Sequence, residues 1–197
     1  MNRFSAALPA GLLVLLPHAA LAHPGHGEAG GLAQGLLHPI GGADHVLAMV
    51  AVGLLAAFYG GRALWALPLS FLGMMTLGAG LGMTGLALPY AEIGIGLSVV
   101  AFGLALALRV AAPLAALMAL VGGFAVFHGY AHGAEMPESA SGLAYGLGFL
   151  AATAALHLAG LGLGRILNGR QASLRILPQV LGGAVTVAGL ALLVQAA

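Results

Sequence analysis

Residues 112–134 read APLAALMALVGGFAVFHGYAHGA, with Glu135 next, and carry no Asp, Glu, Lys or Arg. A helix of that length rises about 35 Å, enough to cross a hydrocarbon core of roughly 30 Å, so the stretch reads as a membrane span. Polar chemistry is gathered at its end. At 100° per residue His128, His132 and Glu135 project within an arc of about 60°, giving one helix face two imidazoles and a carboxylate. The i, i+4 histidine spacing is one that helical metal sites use. Ionisable groups held in hydrocarbon are costly, and by default they mark a pathway or a ligand.

The rest of the chain has the same character. Of 197 residues, 61% are hydrophobic and 6% charged, and the mean hydropathy is +1.06. Soluble domains carry about a quarter charged residues, so the fold class is an all-α integral membrane helical bundle. Met1 to Ala22 has Arg3, an apolar stretch and Ala20-Leu21-Ala22, which is the layout of a cleavable signal peptide. The expected division is therefore 1–22 signal peptide and 23–197 a domain of six transmembrane helices, at about 31–58, 63–87, 90–108, 112–134, 142–164 and 175–196.

With the mature N-terminus outside, Arg62, Arg109, Arg165, Arg170 and Arg175 all fall in loops facing the cytoplasm. This arginine bias orients the bundle in a bacterial inner membrane with both termini periplasmic. A net charge of +1 without lysine leaves no basic surface for nucleic acid, and the absence of cysteine removes thiolate sites and disulfides. The 33 glycines read mainly as close-packing positions between helices. A metal would be held by nitrogen and oxygen, with methionine sulfur the remaining option.

A second polar segment, His38-Pro39-Ile40-Gly41-Gly42-Ala43-Asp44-His45, interrupts the first mature span. Pro39 and the Gly41-Gly42 pair predict a kink or break, and broken helices at membrane depth line cavities or bind ions. Glu92 opens the third span on the same outer side. His157 lies deeper in the fifth, one turn from Thr153, where an inner station would sit. His23 and His26 would stand at the mature N-terminus, where a short histidine tract can collect dilute metal. Met49, Met74, Met75, Met83 and Met118 read as core filling, and so do Phe71, Phe124 and Phe127.

On these two signatures, His38 to His45 and Phe127 to Glu135, the chain resembles the HupE/UreJ family of nickel and cobalt permeases. A signal peptide followed by six spans is similar as well, so the likeness covers essentially the whole length. The resemblance implies uptake of Ni(II), or Co(II), as a transported substrate without a prosthetic group. The metal would supply hydrogenase, urease or cobalamin pathways. Capture by His23 and His26 would precede a site of His38, Asp44, His45, His128, His132 and Glu135, with Glu92 nearby and release past His157. The sequence is compatible with a homo-oligomer. Two other classes fit the same residues: a membrane metalloenzyme with a His/Glu-bound zinc, and a metal-binding sensor or assembly scaffold.

Overall fold

The computed structural model describes residues 29–136, 142–167 and 176–196. Seven helices occupy them: α1 Ala29–Gly41, α2 Ala43–Tyr59, α3 Ala63–Met83, α4 Ala91–Ala107, α5 Leu114–Ala134, α6 Gly142–Leu167 and α7 Leu177–Ala196. Apolar runs of this kind become helical because a helix satisfies its own backbone groups where no water is at hand. Four helices, α3, α5, α6 and α7, are long and apolar enough to cross a membrane singly. The 17-residue α4 is shorter.

The first predicted span is not one rod. It passes the length test only as the pair α1 and α2, bent by 83° at Gly42. Gly42 takes an extended backbone, φ −104° and ψ 120°, and its carbonyl accepts from Val46 N–H to start α2. A Cβ at Gly42 would lie 2.7 Å from Asp44 Oδ1 and 2.9 Å from His45 Nδ1. A side chain here would therefore displace the first polar pair of α2. The predicted interruption between His38 and His45 is present, and it sets His38 and His45 on separate helices.

Helix α2 is the centre of the bundle, packed by α3, α4 and α6. Its residues from Ala51 to Ala56 are all buried, as a helix surrounded on every side requires. Met49, Val52 and Leu55 meet Leu67, Phe71, Val99, Phe102 and Phe149 in the core. The other close pairings are α3 with α5, α4 with α7 and α1 with α6.

Arg62 and Arg109 lie at one end of the bundle, where Arg109 stacks on Phe58 and Tyr59 OH donates to Val110 O. Asp44, Glu92 and Glu135 lie at helix ends on the other side, with Glu135 beside His38. Arg170, Arg175, His23 and His26, and the proposed signal peptide, lie outside the described residues.

Small residues let membrane helices touch through their backbones. At Gly129 an added Cβ would stand 2.7 Å from the Met75 carbonyl carbon and 2.9 Å from Ala79 N, both backbone atoms that cannot rotate away. Gly129→Ala is therefore expected to destabilise the protein by about 1–3 kcal/mol, the usual penalty for overpacking. Thermal unfolding of the purified protein in detergent checks this, and an unchanged midpoint would remove the close α3–α5 contact.

Candidate metal site

The bend at Gly42 brings the last turn of α1 and the first turn of α2 to the C-terminal end of α5. His38 Nε2 lies 3.5 Å from Glu135 Oε2, and both side chains are accessible. The His38 ring meets His132 edge-on at a centroid distance of 4.7 Å, and His132 meets His45 at 4.4 Å. His45 in turn meets His128 at 4.8 Å. The two signatures thus form one row of imidazoles running from accessible His38 through buried His132 and His45 to fully buried His128.

One ring nitrogen each of His38 and His132 and an oxygen of Glu135 lie within 4.8 Å of one another. Two donors bound to the same ion at about 2.1 Å stand at most about 4.2 Å apart, so this trio is within a small closure of a coordination shell.

Within the row, Asp44 Oδ1 is 2.8 Å from both the backbone N–H and ring Nδ1 of His45. The carboxylate can only accept, so Nδ1 carries the proton and Nε2 keeps its lone pair. That Nε2 is buried and without a partner, as are His128 Nδ1 and both ring nitrogens of His132. A buried polar atom left unpaired costs about 1–3 kcal/mol. Four such nitrogens in one row are poor material for a structural core and good material for a ligand set.

Two predicted residues stand apart. Glu92 is exposed on the first turn of α4 and shares a pocket of about 280 Å³ with Asp44, Gly96, Leu192 and Gln195. It approaches the row through Asp44, not through the His38–Glu135 mouth. His157 on α6 is fully buried behind Phe71, whose ring is 5.5 Å from His128 and 5.1 Å from His157. Neither ring nitrogen of His157 has a partner, nor does Thr153 Oγ1.

Sequence reading missed three neighbours. Phe149 of α6 packs on His132 at 4.1 Å, and Tyr145, one turn earlier, lies 5.7 Å from His38. With Met75 and Met83 they line a cleft of about 690 Å³ that reaches His132. The third is Ser98 of α4, hydrogen-bonded to His128. A serine alone in an apolar run was the available signal. Tyr130, inside the second signature, is structural: its OH donates to Leu86 O at 2.7 Å and accepts from Leu88 N at 2.9 Å, holding the α3–α4 connection on α5.

Fold and site together define a multi-pass helical membrane protein whose two polar signatures meet in a histidine and carboxylate group fit for a metal ion. The family model described as HupE / UreJ protein matches residues 11–192, and the chain belongs to that family. Protein HupE of Rhizobium leguminosarum bv. viciae is 45% identical over 179 residues, covering 91% of this chain and 92% of that protein. No solved structure matches the chain. Membership agrees with the resemblance drawn from the signatures, and sets the chain among transporters and accessory proteins and not among enzymes.

Proposed function

We propose that the protein carries Ni(II), with Co(II) as the alternative cargo, across the bacterial inner membrane into the cytoplasm. The observation that supports this most is the row of buried imidazoles with free lone pairs leading inward from an accessible His38–Glu135 mouth. Neutral imidazole suits late first-row divalent ions, and carboxylates at the entrance offset their charge.

In this reading six spans follow a cleaved signal peptide, α1 and α2 forming the first, and both mature termini are periplasmic. His23 and His26 collect the ion outside. His38, His132 and Glu135 receive it, His45 and His128 take it deeper, and His157 is the inner station beyond Phe71. Asp44 and Glu92 keep the approach negative. A divalent cation gains about 4.6 kcal/mol per 100 mV on entering a negative interior, from about 2.3 per elementary charge. The delivered metal serves nickel enzymes such as hydrogenase and urease, or cobalamin synthesis.

Purified protein in sealed liposomes with an inside-negative potential is expected to accumulate radioactive nickel, and to do so less when the potential is collapsed. Protein that binds the ion without accumulating it would be a sensor or scaffold, and the transport reading would fall.

A further inference from the structure

Ser98 Oγ is fully buried and has two polar neighbours. It lies 2.6 Å from Ile95 O, one turn back on α4, and 2.8 Å from His128 Nε2 on α5. A hydroxyl has one proton, and a carbonyl oxygen can only accept. Were that proton given to His128, two oxygens with opposed lone pairs would face each other at 2.6 Å with no hydrogen between them. The proton therefore goes to Ile95 O, and Ser98 Oγ accepts from His128. That requires the hydrogen of His128 to sit on Nε2, which places the lone pair on Nδ1. Nδ1 is the nitrogen of this ring that is buried without a partner.

We propose that Ser98 is a positioning residue that holds His128 in its Nε2–H tautomer, so that Nδ1 is the atom offered to a late first-row divalent cation. The inference rests on the metal-transport reading. A ring nitrogen that binds metal is oriented by the hydrogen bond its other nitrogen makes. In this row the two deeper histidines are set by different partners with opposite results: Asp44 holds the proton of His45 on Nδ1, and Ser98 holds that of His128 on Nε2. His132, between His38 and His45, has no hydrogen-bond partner on either nitrogen. It is free to present either one, as a residue passing an ion from mouth to interior would need.

The test uses the full-length protein in lipid nanodiscs with ¹⁵N-labelled histidine, the His128 signals being identified by their loss in His128→Gln. Metal-free parent protein is expected to show His128 with a protonated Nε2 and a bare Nδ1. Ser98→Ala should give a mixture of tautomers and weaken Ni(II) binding by about 10- to 100-fold, the usual effect of losing an outer partner of a ligand. Ser98→Thr keeps a hydroxyl that can reach the carbonyl of the preceding turn, and should restore both the parent spectrum and the affinity. A merely structural serine would alter unfolding temperature without moving the tautomer. Protonation at Nδ1 in the parent would overturn the proposal. So would a Ser98→Ala protein with the parent tautomer, or one with unchanged Ni(II) affinity. If the parent binds Ni(II) but fails to move it into liposomes, the transport reading falls, while the spectrum and the binding constants still judge Ser98.

Discussion

Replacing His132 by leucine is expected to lower Ni(II) uptake at least about 100-fold while leaving the protein as stable as before, or more so. The two effects separate because of where the ring sits. Both His132 nitrogens are buried and unpaired, so the substitution breaks no hydrogen bond and removes two atoms that each cost about 1–3 kcal/mol to bury bare. Leucine is close to histidine in volume and keeps contact with Phe149, which packs against the ring at 4.1 Å. Uptake suffers because His132 meets both His38 and His45, at 4.7 and 4.4 Å, and without it the row is cut. Losing a partner that only orients a ligand costs about 10- to 100-fold in metal affinity, so losing the ligand itself should exceed the upper end of that range. Nickel uptake into liposomes and thermal unfolding, measured on the same preparation, check both halves. A destabilised variant that still transports would make His132 a packing residue.

Asp44→Asn is the second large effect, and it divides charge from geometry. The asparagine carbonyl oxygen still accepts from His45 Nδ1, now 2.8 Å from Asp44 Oδ1, so the ring keeps its direction. What goes is the negative charge that offsets a divalent cation. Uptake is expected to fall at least about tenfold with the amount of folded protein unchanged. Initial rates of nickel uptake, corrected for protein content by size-exclusion chromatography, provide the measurement. Retained uptake would leave Asp44 a helix-capping acid on the first turn of α2, where the helix dipole favours a carboxylate in any case.

Much of this was legible along the chain. A 3.6-residue period aligns His128, His132 and Glu135 without reference to any other helix; His132 and Glu135 do stand together with His38, and His128 stands against His45. The proline and paired glycines after His38 announce an interruption, which the 83° bend at Gly42 provides. Because of that bend His38 and His45 belong to different helices, and the helical period does not relate them. Glu92 and His157 were harder to place. Each lies on the expected helix, yet one opens into a separate pocket with Gln195 and the other stands behind Phe71.

By itself the sequence determined the helical membrane class, the two signatures and the break between α1 and α2. Hydropathy, helical period and backbone stereochemistry are local properties, and each can be read within one segment. Only the tertiary structure decided that Ser98 holds His128, that Phe149 backs His132 and that Phe71 parts His128 from His157. Those relations join different helices. Which faces meet depends on how glycines such as Gly129 let backbones approach, and in lipid no difference in hydrophobicity between the faces selects the pairing in advance.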